Sequence, residues 1–490
     1  MNIVEPDTGR PLTSELQAVP QRPFWRWWKG FIPLLAAGAV LRFWSLAAKP
    51  DWAFDENVYA SVASNVLHHG TLNEHIVAGQ QWYPFLYQPP FYFLMLARWF
   101  AIAGTGITQA RVLGVILSLV MLALLFRLVQ KIHGERVALL ALVPVVLDGW
   151  LLYIERASYM ENALLLIVVL GLLLYQRALE APSWQRFALA GAVLGSAPVF
   201  KLTGVYVIFA VLLCWLILRR DHWQHLMLLG SAVAVMAAYF LVMAGLFDIP
   251  GHPWFLQQTG VQVSRVLGLQ QSGGTVSSPA QVFHLITHQY GVFIPSAIVA
   301  TCGLAVLLHR LWQCYRARDW KPAQANALLF SWTAAGFVVF STSALKFPQY
   351  FALILVPLYA YWWSELTRRE SRAFLGIIPL AVLAGVLSFY LVGTGDNPFR
   401  QAQLYAAHSI PAAALVVTEE PIGDDIAQPW CRVEQVQLCP RRPQYAITWD
   451  TYLQASSQLG GKPFQRMMTG AVPLRSFTGF SGTATVWRLR

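Results

Sequence analysis

Apolar stretches of about 20 residues recur along most of this chain, and they constrain its fold more than any other feature. A helix of about 20 apolar residues crosses the hydrocarbon core of a bilayer, and it satisfies its backbone polar groups internally. The composition agrees, because 56% of the residues are hydrophobic and only 12% are charged, whereas a soluble domain carries about a quarter charged residues. The sequence therefore predicts an all-α polytopic membrane protein.

The basic residues predict how the helices are oriented. Arg22, Arg26 and Lys29 precede the first apolar stretch, and basic residues favour the cytoplasmic side. The segment 90–103 is predicted as an interfacial helix, because counting it as a span would move the later basic loops outside. Eleven spans then place five basic loops inside, with the N-terminus inside and the C-terminus outside. The predicted spans are 30–48, 108–130, 137–154, 159–177, 186–200, 204–218, 225–246, 291–313, 324–343, 349–366 and 374–392.

The same pattern predicts the domain organisation. Residues 1–29 form a cytoplasmic tail, and 30–392 form the transmembrane domain, with outer loops at 49–107 and 247–290. Residues 393–490 are polar and rich in Pro and Gly, so we expect a small extracytoplasmic α/β domain there. The net charge of +11 is explained by the basic inner loops, so nucleic acid is not a predicted partner.

Within the last domain, short β-like runs such as "AAALVVT" and "YAITW" predict strands, and a helix is predicted near 450–459. Cys431 and Cys439 lie in this region. An oxidising compartment would permit a disulfide between them, and two free thiols remain the alternative.

Ionisable residues near the ends of the spans predict a site on the outer face, because such residues are rare and usually functional in membrane proteins. The cations among them oppose the positive-inside bias, so topology does not explain them. Singly, each lysine or arginine could snorkel to the headgroups. Within the 155–161 segment, Arg156 could simply pair with Glu161 or Glu155. Together they predict a site for an anionic substrate. The residues concerned are Asp55, Glu56, Arg111, Glu155, Arg156, Glu161, Lys201, Arg265 and Lys346.

This set of side chains suits glycosyl transfer from a lipid phosphate sugar. Lys and Arg bind a phosphate and stabilise its charge as it departs, while a carboxylate removes the proton of an incoming hydroxyl. A retaining route would need a nucleophile as well, and both routes remain open. No cofactor is predicted with certainty, although His75 beside Glu74 is a weak candidate for a divalent metal site. Asp148, inside a predicted span, is expected to form a buried hydrogen bond.

Six fragments carry a family resemblance, in the family's order, over residues 30–365: "FDENVYASVA", "YQPPFYFLMLARWFAIAG", "QARVLGVILSL", "ERASYMENALLL", "FKLTGVY" and "LKFPQYFALILVPL". The chain resembles the dolichyl-phosphate-mannose protein mannosyltransferases and their bacterial relatives, which include the lipid A aminoarabinose transferase. These are type C glycosyltransferases. The resemblance implies an integral membrane enzyme that takes its sugar from a polyprenyl-phosphate donor on the extracytoplasmic face.

The resemblance also implies roles for individual residues. Asp55 is the general base. Its neighbour Glu56 is a further candidate catalytic residue by its position; because adjacent side chains on a helix point about 100° apart, Glu56 should orient the loop or hold a cation. Lys201 and Lys346 hold the lipid phosphate, with contributions expected from Arg111, Arg156 and Arg265. Glu161 stands where relatives often have Asp, and it is the next candidate for a catalytic carboxylate.

The implied partners are the bilayer, the donor lipid, and an acceptor that is a lipid, a glycan or a protein. The implied location is a bacterial inner membrane, with the active site on the periplasmic side and an inverting reaction. Two alternatives remain: a transporter or flippase for lipid-linked glycans, and a ligase or oligosaccharyltransferase that uses a lipid pyrophosphate donor. Transporters often contain internal repeats, and the sequence shows no convincing repeat.

Overall fold

The computed structural model shows a mostly helical protein, as the sequence predicts. It describes residues 28–47, 54–73, 84–219, 222–250, 252–266, 294–317, 324, 326–342, 348–368, 398–418, 428–449, 461–479 and 482–490. The helices are α1 Trp28–Phe43, α2 Phe54–His69, α3 Phe91–Ala103, α4 Ile107–His133, α5 Glu135–Leu147, α6 Gly149–Arg156, α7 Met160–Glu180, α8 Trp184–Gly195, α9 Ala197–Phe200, α10 Tyr206–Leu218, α11 His222–Phe247, α12 Trp254–Val266, α13 Ile294–Ala317, α14 Ala327–Thr342, α15 Ala352–Arg368, α16 Pro398–Ser409 and α17 Gly461–Met468.

Three helices, α4, α7 and α11, are each long and apolar enough to cross a membrane within the part of the chain that the structure describes. The pair α5 and α6 also passes this test when both are counted as one bent span. Shorter apolar helices occupy other predicted spans, and the predicted span 374–392 lies outside the described residues. Helices therefore lie where most of the apolar stretches occur, and the number of eleven spans stays a prediction.

The predicted span 137–154 is interrupted, because the chain bends by 69° between α5 and α6. Asp148 lies at the bend and caps α6, since its Oδ1 accepts a hydrogen bond from the Leu151 amide at 2.9 Å. Its Oδ2 accepts from the hydroxyls of Ser296 at 2.7 Å and Tyr359 at 2.6 Å. An Asp side chain competes for backbone amides and so starts a new helix. The expected buried hydrogen bond of Asp148 is confirmed, and it joins α6 to α13 and α15.

The main hydrophobic core lies between α4, α5, α7, α8, α10, α14 and α15. Large aromatic side chains fill it, and Trp150 and Trp332 are buried there. A second core joins α2 and α3 to the first half of α4. The buried residues of α3 include Tyr92, Phe93 and Leu96, so this helix packs α2 against the bundle. The site described below lies next to this second core.

Polar contacts at the two ends of the bundle follow the predicted alternation of the spans. At the C-terminal ends of α4 and α7, Lys131 Nζ lies 2.5 Å from Glu180 Oε2. Arg310 of α13 pairs with Glu365 of α15, and both were predicted near inner loops. The residues near the N-terminal ends of α4 and α7 were predicted on the opposite side, and they form the contacts of the candidate site.

The strands are β1 Asp248–Ile249, β2 His252–Pro253, β3 Val416–Thr418, β4 Trp430–Arg432, β5 Tyr445–Trp449, β6 Val472–Gly479 and β7 Gly482–Arg488. The last five form a mixed sheet in the C-terminal region, in the order β4-β3-β5-β7-β6. Strand β3 runs parallel to β4 and β5, while β7 runs antiparallel to β5 and β6. Strands β3 and β5 lie in the two runs predicted as strands, and the predicted helix at 450–459 lies outside the described residues.

Cys431 and Cys439 form a disulfide, so this alternative of the sequence analysis is confirmed. The bond ties the buried strand β4 to the end of the 3₁₀ turn Val433–Leu438. It closes a small loop at one edge of the sheet.

Candidate active site

Asp55 lies in the first turn of α2, where a negative charge interacts favourably with the helix dipole. Its carboxylate is partly buried, and two side chains donate hydrogen bonds to its Oδ2. Gln349 Nε2 lies 2.7 Å from this oxygen, and the Tyr59 hydroxyl lies 3.4 Å from it. Tyr59 follows one helical turn after Asp55, whereas Gln349 comes from the 3₁₀ turn Pro348–Phe351 before α15. Asp55 thus joins the start of α2 to a distant part of the chain.

The environment of Asp55, in the predicted outer loop, makes its carboxylate more basic than usual. Removal from water raises the pKa of Asp55 to about 6 from its ordinary value of 3.8, and the negative charge of Glu161 adds to this. The positive charge of Lys201 and the hydrogen bonds from Tyr59 and Gln349 act in the opposite direction. A carboxylate with this pKa is still mostly ionised at neutral pH, and it accepts a proton more readily than an exposed Asp.

Lys201 lies beside this carboxylate and forms a buried ion pair. Its Nζ is 2.6 Å from Glu161 Oε1, and the two side chains are 2% and 0% exposed. The ammonium group also lies 5.0 Å from the centre of the Tyr350 ring, within the range of a cation–π contact. Lys201 therefore does not snorkel to the headgroups. Glu161 Oε2 is buried and has no hydrogen-bond partner among the described residues.

A break between helices places Lys201 at the site. Its backbone is extended, with φ −156° and ψ 130°, between α9 and the 3₁₀ turn Leu202–Val205. The turn packs back onto α9 at Gly204, where a Cβ atom would lie 2.6 Å from the carbonyl carbon of Ala197. Glycine allows this close approach, so the "FKLTG" segment directs the lysine towards Glu161 instead of continuing as one helix.

Glu56 points away from its neighbour and forms a buried ion pair with Arg111. Its carboxylate accepts from Arg111 Nε at 3.0 Å and Nη2 at 2.8 Å, and from the Ser158 amide at 2.7 Å. Arg111 Nη1 donates to the Leu46 carbonyl at 3.1 Å, and both charged side chains are fully buried. This geometry favours a structural role for Glu56 and Arg111 over the predicted catalytic and phosphate-binding roles.

Arg156 contacts the C-terminal end of α1 and the residue that follows it. Its Nη1 donates to the Leu41 carbonyl at 2.9 Å and its Nη2 to the Trp44 carbonyl at 2.5 Å. Glu155 pairs with Arg42 rather than with Arg156, and both members of that pair are fully buried. A guanidinium placed at the carbonyls that end a helix stabilises that end. Arg156 is therefore better placed to hold α1 than to bind a phosphate.

The structure does not describe the side chains of two predicted phosphate ligands. Lys346 lies outside the described residues, and Arg265 lies in α12 with its side chain outside the description. Glu74 and His75, the candidate metal ligands, also lie outside it. The residues that the structure describes contain no cluster of three potential metal ligands.

The structure adds three residues that sequence reasoning missed. Gln349 and Tyr350 lie within "LKFPQYF". Both are uncharged, whereas the candidate residues were selected for their charge. Arg42 lies inside the first apolar stretch, and an arginine in such a stretch is itself a signal of a buried partner. Arg42, Arg111 and Arg156 contact or pair at the C-terminal end of α1 and the residues that follow it up to Leu46.

Comparison with known proteins yields a family match and structural neighbours. The family model of the dolichyl-phosphate-mannose-protein mannosyltransferases matches residues 87–244, which include Arg111, Glu161 and Lys201. The resemblance predicted from the sequence is confirmed. No curated protein sequence matches the chain.

Solved structures show that the chain has the fold of the type C glycosyltransferases. ArnT from Cupriavidus metallidurans bound to undecaprenyl phosphate is 15% identical with a TM-score of 0.59, over 94% of this chain and 98% of that one. The same protein in the apo state gives a TM-score of 0.61 at 14% identity. The Archaeoglobus fulgidus oligosaccharyltransferase, 13% identical, gives 0.57 over 91% of this chain and 72% of its own. At these identities the likeness concerns the fold.

Proposed function

We propose that the chain is a membrane glycosyltransferase that moves a sugar from a polyprenyl-phosphate donor to an acceptor on the extracytoplasmic face. The observation that carries the proposal is the Asp55 carboxylate, partly buried and more basic than usual, beside the buried Lys201–Glu161 pair. The type C fold supports it, and so does the undecaprenyl phosphate bound to the ArnT structure.

In the proposed reaction Asp55 takes the proton of the acceptor hydroxyl or amine. The acceptor atom attacks the anomeric carbon, a new glycosidic bond forms, and the bond between that carbon and the phosphate oxygen breaks. The electron pair leaves with the polyprenyl phosphate, so no general acid is needed. One displacement with one base inverts the anomeric carbon. This scheme needs no nucleophile. Glu161 would therefore act only by holding Lys201 in place.

Lys201 stabilises the departing phosphate in this proposal. An ammonium group has three donors, and one of them points to Glu161 Oε1. The other donors are available to the phosphate oxygens, whose charge rises as the bond to the sugar breaks. Lys346 and Arg265 remain proposed contributors. Arg111 and Arg156 act by holding the segment that leads from α1 to Asp55.

The proposal includes the arrangement of the chain in the membrane. Eleven spans would put the N-terminus in the cytoplasm and the acidic pair outside, in a bacterial inner membrane. Residues 393–490 would form the extracytoplasmic domain, and the sheet described within 416–488 supports a separate folded unit there. A disulfide in that sheet fits an oxidising compartment.

Purified protein in liposomes tests the function directly. The probes are mannosyl and aminoarabinosyl polyprenyl phosphates, each with lipid A, a glycan or a peptide as acceptor, and products are identified by mass spectrometry. Release of polyprenyl phosphate with transfer of sugar, abolished in Asp55→Asn, is the expected result. Consumption of a lipid pyrophosphate glycan instead would identify the ligase alternative. Movement of intact donor between leaflets without consumption would identify the flippase alternative.

A further inference from the structure

We propose that Gln349 is a positioning residue, whose side-chain amide holds the Asp55 carboxylate in the orientation in which it accepts the proton of the acceptor. The proposal rests on the proposed role of Asp55 as base. Gln349 is 3% exposed and its Nε2 lies 2.7 Å from Asp55 Oδ2, a short and well-formed contact. It would act on the reaction through Asp55 and not through the substrate.

The two oxygens of Asp55 have different surroundings. Both hydrogen bonds that the described side chains make to this carboxylate end on Oδ2. None of the described side chains donates to Oδ1, and in this proposal Oδ1 receives the acceptor proton. The Tyr59 hydroxyl is far from Oδ2 at 3.4 Å and belongs to the same helix as Asp55. Gln349 is the contact that fixes the carboxylate relative to the rest of the bundle.

Gln349 is itself held firmly. Phe351, two residues after Gln349 in the same turn, stacks on Trp150 of α6, with ring centres 4.2 Å apart and planes 19° apart. In the helix that follows, Tyr359 bonds to Asp148 at the start of α6. The bend between α5 and α6 thus provides the surface on which the Pro348–Phe351 turn rests. Tyr350, which directly follows Gln349, places its ring against the ammonium group of Lys201. One turn therefore contacts both the proposed base and the proposed phosphate ligand.

A neutral amide suits this task better than a cation. Among the residues that the structure describes, the charged and titratable groups that act on Asp55 are Lys201, Glu161, Tyr59 and Tyr159. The charges of Lys201 and Glu161 act on Asp55 in opposite directions, so their influence partly cancels. A second lysine or arginine at position 349 would orient the carboxylate but would also reduce its basicity. A glutamine donates one hydrogen bond and leaves the carboxylate a good base.

The test measures single-turnover transfer between pH 5 and 9 with donor-loaded liposomes, for wild type, Gln349→Leu and Gln349→Glu. Misorientation of a base by about 1 Å costs on the order of 100-fold, so we expect Gln349→Leu to slow transfer about 10- to 100-fold with donor affinity unchanged. Loss of a donor to the ionised carboxylate should also move the acidic midpoint of the rate up by about one pH unit. In Gln349→Glu, repulsion between two carboxylates should move the midpoint further.

Gln428→Leu is the matched control. Gln428 is also 3% exposed, and its amide donates to the carbonyls of Ala406 at 2.9 Å and Ile410 at 3.0 Å. This variant should lower the melting temperature and leave the pH profile unchanged. A Gln349→Leu enzyme with the wild-type rate, or one slowed equally at every pH, would overturn the proposal. If Gln349→Leu does not fold, the pH profile of Gln349→Glu decides in the same way.

The outcome for Asp55→Asn separates this inference from the proposed function. Loss of transfer in Asp55→Asn together with a wild-type profile in Gln349→Leu would refute the positioning role alone. Unchanged transfer in Asp55→Asn would refute the role of Asp55 as base, and the positioning role with it.

Discussion

Removing the charges of the adjacent acids Asp55 and Glu56 should affect two different properties. Glu56→Gln should lower the stability, whereas Asp55→Asn should lower the turnover. Glu56 is fully buried and bonded to Arg111 Nε, Arg111 Nη2 and the Ser158 amide, so Glu56→Gln leaves a buried guanidinium without its counter-charge. Breaking one partner of a buried ion pair costs about 3–5 kcal/mol. We therefore expect a large loss of stability. Asp55→Asn keeps the shape of the side chain and should lose about 10²–10⁴-fold in turnover.

The stability of Asp55→Asn follows from the sign of the pKa shift. The pKa of Asp55 is raised in the folded protein to about 6 from 3.8, so between these pH values the folded state binds more protons than the unfolded state. Stability contributed by Asp55 therefore falls as the pH rises through this range. An asparagine carries no charge to desolvate. The melting temperature of Asp55→Asn should equal or exceed that of the wild type at pH 8, and the difference should disappear below pH 4.

Thermal unfolding in detergent and single-turnover transfer measure the two effects on the same preparations. The control is the double variant Glu56→Gln/Arg111→Met, which removes both charges and should recover part of the stability lost in Glu56→Gln. A Glu56→Gln protein that melts like the wild type and loses turnover as Asp55→Asn does would refute the division of roles. It would mean that both acids act in catalysis.

Three further predictions concern other parts of the molecule. Lys201→Ala should weaken donor binding by about 1.5–3 kcal/mol through loss of a charge-assisted contact, which equilibrium binding of polyprenyl phosphate measures; equal binding by variant and parent would exclude this contact. Replacing Cys431 and Cys439 by serine should cost roughly 2–3 kcal/mol for a loop of this length, seen as a lower melting temperature of the C-terminal region; free thiols in non-reducing peptide mapping would contradict the bond. Cysteines introduced at Asp55 and Arg220 should be labelled from opposite sides of the membrane, and labelling of both from one side would refute the topology.

The sequence by itself determined the class of the protein, because the features that decide it are local. The apolar stretches, the basic loops and the short β-like runs each lie within about 20 residues of the chain. The two predicted strands, for example, coincide with β3 and β5, and the mostly helical fold agrees with the spans. The ordered fragments also carried the family resemblance, which the match over 87–244 confirms. The charged residues of the site could be selected as candidates from the same local patterns.

Which of the candidate residues contact one another was decided only by the tertiary structure. Asp55 and Glu56 are neighbours in the sequence, yet successive side chains on a helix point about 100° apart, so one faces Lys201 and the other Arg111. Three arginines, one lysine and three glutamates lie in this region and could pair in many ways. Helix packing selects Arg42 with Glu155, Arg111 with Glu56, and Lys201 with Glu161. Gln349 contacts a carboxylate 294 positions earlier in the chain. No local pattern carries such a contact, because it exists only once the bend at Asp148 and the turn at Pro348–Phe351 have brought the two segments together.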